Sequence, residues 1–314
     1  MALYKLAPVF KEMIWGGSKL KTDFEFSFTS NQIGEAWVIS AHQNGDCLFT
    51  TGEFTGQALS EVYKQNRKLF GHGDNMKFPL LVKIIDANQN LSIQVHPDDE
   101  YALLHEQSYG KTECWFILDC PPKTPLIIDH HAENHQELVD AAHNGSILDK
   151  LSVIEIEKGD FFFIPAGTIH AICANTILYE VQQNSDVTYR LYDYERVDIQ
   201  GNPRQLHLEK GLDVIQSNKS QIKPVPDIKQ LPSATITTLV KSKYFSLTKI
   251  ENRGLLDYEL EGEFSLVGCI EGELTINDIL FSKGEHAIIT HDTRHIILNG
   301  HGIALISTPG EILL

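Results

Sequence analysis

The sequence predicts a mainly β protein built as two β-barrels with small helical insertions. Three observations predict it. Short β-branched and aromatic runs recur along the 314-residue chain, at the spacing of about 8–12 residues that sandwiches and barrels show. Helical periodicity is confined to a few short windows. A turn-and-strand pattern also occurs in each half: Lys158-Gly159-Asp160 leads to His170, and Lys283-Gly284-Glu285 leads to His295, with the histidine 12 residues after the lysine both times. Such internal similarity is the mark of a duplicated unit.

Taken in order, the strand candidates of the first half are EAWVIS, FPLLVKII, LSIQVH, CWFIL, TPLIID, SVIEIE, DFFFIP, ILYEV and VTYRLYDY. Leu59, Val62, Tyr63, Leu69 and Phe70 fall on one helical face ahead of Gly71. Glu137 to Ala142 and Leu206 to Ile215 mark two further short helices. Phe161 to Tyr179 carries no Asp, Glu, Lys or Arg over 19 residues. Pro165 and Gly167 interrupt it, so it reads as buried strands around a PAG turn rather than a membrane span. The polar stretch 217–235 holds three of the 12 prolines, and a linker is placed at 221–235. The expected division is a first barrel over 1–220 and a second over 236–314, the latter with YFSLTKI, FSLVGCI, ELTIND, HAIIT and RHIILN as strands.

Forty-two acidic against 26 basic residues leave a net charge of −16. A nucleic-acid binder needs a basic face, and an anionic membrane repels such a chain, so neither is an expected partner. An anionic small molecule would need a local group of cations set into this acidic background. The five cysteines, Cys47, Cys114, Cys120, Cys173 and Cys269, are scattered and form no CxxC. That pattern, and an N-terminus without an apolar signal core, point to a reducing cytoplasmic setting. A monomer or a homodimer is compatible with this composition.

The strongest constellation is Gln94 with His96, then Glu113, then His170. Gln94 and His96 are two apart in a strand-like run, so their side chains leave the same face. Glu113 enters the apolar run Cys114-Trp115-Phe116-Ile117, where an unpartnered carboxylate is costly and a cation is expected. Two imidazoles, a carboxylate and an amide oxygen suit Zn²⁺, and the lack of thiolates fits a catalytic rather than a structural site.

IWGG at 14–17, GEAWVIS at 34–40, PLLVKIIDANQNLSIQVHPDD at 79–99, KTECWFIL at 111–118, IPAGTIHAI at 164–172 and the stretch from Glu180 to Arg190 resemble the type I mannose-6-phosphate isomerases. The shortness of the chain resembles their compact bacterial branch. The resemblance implies a cupin-type (jelly-roll) fold and one Zn²⁺ per chain, held by Gln94, His96, Glu113 and His170. It implies interconversion of mannose 6-phosphate and fructose 6-phosphate through an enediol. Glu180, Lys111 and Arg190 are the implied catalytic residues, with proton transfer open between Glu180 and Lys111. Ser92, Lys83, Lys111 and Arg190 are the expected contacts to the sugar phosphate, since phosphate carries nearly two charges that must be offset locally. An iron-dependent cupin dioxygenase is disfavoured because Gln94 stands where those enzymes commonly have histidine. A non-enzymatic sugar-binding cupin is disfavoured by the intact ligand set and the Glu180–Arg190 pair. Within 263–276 no Gln-x-His or His-x-His precedes a carboxylate, so the second barrel is expected to be degenerate and without metal, His295 standing alone.

Overall fold

The computed structural model describes residues 3–71, 77–197, 201–216 and 221–310. Strands Leu80–Ala87 and Thr176–Gln183 are buried at every position. A strand can be buried throughout only if both faces of its sheet are covered, which is why LLVKII shows no apolar-polar alternation. Both strands lie inside a six-stranded antiparallel sheet, here the central sheet, in the order Phe161–Ile164, Glu113–Asp119, Thr176–Gln183, Leu80–Ala87, Val9–Gly17, Ile33–Ile39.

One face of the central sheet presents Val82, Ile84, Cys114, Phe116, Tyr179 and Val181. These pack against Leu239, Phe245, Leu247, Leu266 and Leu305 of a ten-stranded back sheet. The other face presents Ile85, Trp115, Ile117 and Leu178 to Leu126, Ile128 and Ile156 of a five-stranded front sheet. The front sheet runs Leu151–Ile156, Thr124–His130, His170–Ala171, Ile93–Val95, Tyr189–Tyr192. Its outward residues Ile93, Val95, Ala171, Tyr189 and Leu191 are covered by Leu138 and Leu212. Those two come from helices His135–Asn144 and Leu208–Val214. Because strand side chains alternate, Gln94, His170 and Arg190 point the opposite way, toward the central sheet.

The mainly β class and the helical windows at Leu59–Gln65, His135–Asn144 and Leu208–Val214 agree with the sequence reading. Closed barrels do not form: among the described residues every sheet is open. The first segment of the chain instead joins the sheet of the second half. Leu3–Ala7 pairs with His286–Ile289, register Leu6 to His286, and so extends the back sheet from the N-terminus. Asp227–Leu231, inside the stretch read as a linker, is an exposed edge strand paired with Ala234–Lys241. Two helices were not expected, Lys19–Phe24 and Asp99–Glu106. The second had a legible start, since Asp98 Oδ1 accepts from Tyr101 N at 2.9 Å and acids fill the first turn.

The PAG turn carries the chain from the central to the front sheet. Gly167 has φ +84°, and a Cβ there would lie 2.8 Å from the Val214 carbonyl oxygen, so only glycine fits. Among the described residues no helix is long and apolar enough to cross a membrane.

Candidate metal centre and its cavity

Two rows of paired residues face each other across the gap between front and central sheets. In the front sheet Gln94 is in register with His170 on one side and Arg190 on the other. Directly opposed residues share a face, so all three converge. In the central sheet one row runs Trp115, Glu180, Lys83, Trp37, and Glu113 stands next to Gln182 in the adjoining row. His96 follows strand Ile93–Val95 and is buried. Residues 76 positions apart thereby meet: Gln94 Nε2 is 3.2 Å from His170 Nε2.

Among the described residues, His96, Glu113 and His170 form the grouping of three metal-donor side chains whose ligand atoms lie within 4.8 Å of one another. The imidazoles are set for coordination. Each Nδ1 faces a backbone carbonyl at 2.9 Å, Val187 O for His96 and Thr168 O for His170. A carbonyl only accepts, so Nδ1 carries the proton and Nε2 turns its lone pair inward. Burial, then the Lys111 charge, hold both rings neutral, His170 pushed down to about 3 and His96 well below its ordinary value.

Glu113 completes the fit. Its Oε1 is buried, 3.3 Å from His170 Nε2, and makes no hydrogen bond. Two lone pairs so placed repel unless a cation lies between them. Burial and the neighbouring Glu180 charge push the Glu113 carboxyl up. The donor set therefore fits a divalent metal ion, and its nitrogen and oxygen composition suits zinc. Gln94 adds an amide at the rim, whose carbonyl end would face the same centre after a half-turn.

Lys111 Nζ lies 2.6 Å from Glu113 Oε2 and 2.9 Å from His96 Nε2. Lys83 is committed elsewhere: Nζ is 3.1 Å from Glu180 Oε1 and 3.7 Å from Glu35 Oε2. Burial disfavours its charge, but these carboxylates outweigh burial and raise its pKa. Glu180 also accepts from Trp115 Nε1 at 2.9 Å. Burial opposes its ionisation, yet Lys83 and Lys111 hold it below the usual carboxylate range.

Gln94 and Lys111, which touch the metal-donor group, also line a cavity of about 310 Å³. Ser92, Gln94, Lys83, Lys111, Glu180 and Arg190 all line it. Glu35, Asp186, Thr188 and Arg204 also line it and were missed from sequence. Glu35 had a signal, an acid in the apolar run EAWVIS, where it takes the Trp37 indole hydrogen at 2.6 Å. Nothing local marked Arg204, which arrives on a loop.

Trp15 and Trp37 are packed as expected. His207 is half-buried, with its Nδ1 3.2 Å from Arg190 N, and His130 is buried. His72 lies outside the described residues. His295 occupies no interior site: it is exposed, with Nδ1 3.2 Å from Asp257 Oδ1. An exposed pair of this kind contributes at most about 1 kcal/mol. His295→Ala is therefore expected to leave metal content and turnover within about twofold of the parent, and a loss of metal on that substitution would overturn this assignment.

A family model described as phosphomannose isomerase type I, catalytic domain, matches residues 3–147, and one described as mannose-6-phosphate isomerase, cupin domain, matches residues 235–309. The Bacillus subtilis protein described as probable mannose-6-phosphate isomerase GmuF is 40% identical over 309 residues, covering 97% of this chain and 98% of the relative. Mannose-6-phosphate isomerase ManA from the same organism is 40% identical over 305 residues, covering 96% of each. A solved mannose 6-phosphate isomerase from Bacillus subtilis matches with a TM-score of 0.93 at 36% identity, covering 98% of this chain and 99% of that one.

Proposed function

The chain belongs to the type I mannose-6-phosphate isomerases and is an isomerase, and from that premise we propose that it interconverts mannose 6-phosphate and fructose 6-phosphate with one Zn²⁺ held by Gln94, His96, Glu113 and His170. The observation that carries this reading is the grouping of His96, Glu113 and His170, with Gln94 at 3.2 Å from His170, beside a cavity whose walls bear Gln94, Lys111, Glu180 and Arg190. Residues 1–220 are the catalytic unit in this reading. Residues 236–314 are a metal-free cupin-like unit that backs it.

Aldose–ketose interconversion moves a proton between C2 and C1 through an enediol. Zinc bound at this centre would supply Lewis acidity toward the oxygens on those carbons. The chain supplies the rest. Lys111 lies beside the ligand group and is the residue assigned to the proton shuttle. Glu180 is fixed by Lys83 and by the Trp115 indole, so it serves better as a fixed negative charge than as a mobile base. Ser92, just before strand Ile93–Val95, orients a sugar hydroxyl. Arg190, at the far side of Gln94, faces the phosphoryl group.

The test is a coupled assay of purified protein with mannose 6-phosphate and, separately, unphosphorylated mannose. The phosphate ester should raise kcat/KM by orders of magnitude, because the phosphate makes charge-assisted contacts that mannose lacks. Equal specificity constants would refute the substrate assignment. Lys111→Met should keep its metal and lose about a hundredfold to ten-thousandfold in kcat. Retention of activity within threefold of the parent (roughly the scatter of such context effects) would remove Lys111 from the shuttle.

A further inference from the structure

The charges around the cavity are unevenly compensated. Lys83 is paired with Glu180 and Glu35, and Lys111 with Glu113. At the other end stand Arg190 and Arg204, both lining the cavity. Arg204 is held by a fork: its Nε donates to Asp193 Oδ2 and its Nη2 to Asp193 Oδ1, both at 2.6 Å. Arg196 Nη2 donates to the same Asp193 Oδ1. Arg196 and Arg204 thus share the Asp193 carboxylate, while Arg190 donates to the Gln205 backbone oxygen, a local gathering of cations in a chain whose net charge is −16.

The fork also settles which side of Arg204 is available. A bidentate pair through Nε and Nη2 uses one edge of the planar guanidinium and leaves Nη1 on the opposite edge. Asp193 is a fixed anchor: its side chain is 5% exposed against 24% for Arg204. The loop is tied down as well. His207 N donates to Arg190 O at 2.8 Å, and Arg190 Nη1 donates to Gln205 O at 2.8 Å. Arg204 is therefore presented to the cavity as a rigid donor next to Arg190.

We infer that Arg204 is a specificity-determining residue that binds the phosphoryl group of the substrate together with Arg190, and that Asp193 is the positioning residue that aims it. The inference rests on the sugar-phosphate reading of the cavity. A phosphate monoester carries close to two negative charges near neutral pH, and Arg190 and Arg204, which both line the cavity, are the cations placed to offset them. The metal-donor group lies at the Lys111 end and the arginines at the other, so a hexose phosphate spans the cavity with its reacting carbons and its phosphate at opposite ends.

The metal-loaded protein tests this in two measurements. The first is calorimetric titration with inorganic phosphate, and the second is steady-state kinetics with mannose 6-phosphate and with mannose. Arg204→Ala should weaken phosphate binding and raise KM for mannose 6-phosphate by about tenfold to a hundredfold, the worth of a charge-assisted contact. Its kcat at saturation and its kcat/KM for mannose should stay within about threefold, since the lost contact is made equally in ground and transition states. Arg204→Lys should fall between, keeping charge but not the fork. Asp193→Asn should raise KM in the same direction by a smaller factor with kcat unchanged. An Arg204→Ala protein with phosphate affinity within twofold of the parent (below the scatter of single-contact effects) overturns the inference. So does an equal loss for both sugars. If Arg204→Ala does not fold, unchanged phosphate affinity in both Arg204→Lys and Asp193→Asn overturns it instead. A parent protein that binds phosphate through Arg204 yet leaves mannose 6-phosphate unconverted supports the anion assignment and refutes the proposed function.

Discussion

Stripping the metal should lower isomerisation of mannose 6-phosphate by at least about a thousandfold, because a Lewis acid at the reacting oxygens is worth several kcal/mol of barrier. His96→Ala, Glu113→Ala and His170→Ala should each lose metal and activity together. The geometry explains why each ligand matters. His96 and His170 are fixed by their Nδ1 contacts to Val187 O and Thr168 O, so neither ring can swing to replace the other. Glu113 brings the only carboxylate of the group. Removing it takes away the negative charge that draws a cation into a fully buried position. The substitutions should leave the fold standing, since the largest apolar cluster lies behind the central sheet, away from the ligands. Metal analysis and a melting curve on each variant check both halves of this expectation. Restoring zinc to the stripped parent should restore its turnover. Full activity in a preparation verified to be metal-free would end the metal-dependent reading.

The donor set was legible in the sequence because it sits in strands with a period of two. Gln-x-His states which side chains share a face, and Glu113 announces itself as a carboxylate in an apolar run. What a single strand cannot state is its neighbour. The register that sets Gln94 between His170 and Arg190 depends on pairings across 76 and 96 positions. Lys83 shows the cost of this. Its place near the motifs made it a candidate for substrate phosphate, whereas its row neighbours Glu180 and Trp37, together with Glu35, place it in an ion-pair network at the cavity wall.

The Asp193–Arg204 fork was out of reach for a different reason. It joins Asp193, one residue past strand Tyr189–Tyr192, to Arg204 on a loop whose polar local sequence has no periodicity. The duplicated turn pattern was visible but misled in detail. His170 follows Gly167 into the front sheet, whereas His295 opens a long inner strand of the back sheet, opposite Glu259, and faces solvent. The fully buried strands were recognised as strands, but a run buried on both faces does not say what covers it. The exchange of Leu3–Ala7 into the back sheet has no local signal at all.

That exchange makes the second half inseparable from the first, and deletion of 236–314 should abolish soluble, active protein. The deletion removes most of the back sheet, including Ala234–Lys241 from Ile236 onward, Phe245–Asn252, Ser265–Ile276, His286–Ile289 and His295–Pro309. It would uncover Val82, Ile84, Cys114, Phe116, Ile177, Tyr179 and Val181, all at most 5% exposed in the intact chain. Those side chains form one continuous face on adjacent strands of the central sheet. Fully burying a single large apolar side chain is worth roughly 1.5–3 kcal/mol, so losing the cover on this set is comparable to the whole of the roughly 5–15 kcal/mol by which a domain is stable. Leu3–Ala7 would also lose its partner His286–Ile289 and become an unpaired edge next to the exposed face, a combination that promotes association. The expected result is recovery of the truncated chain in the insoluble fraction, with the metal ligands intact in sequence but no turnover. Size-exclusion chromatography and the coupled assay read the outcome. A soluble, monomeric and fully active chain ending near residue 235 would show that the central sheet needs no cover and that the back sheet serves some other purpose.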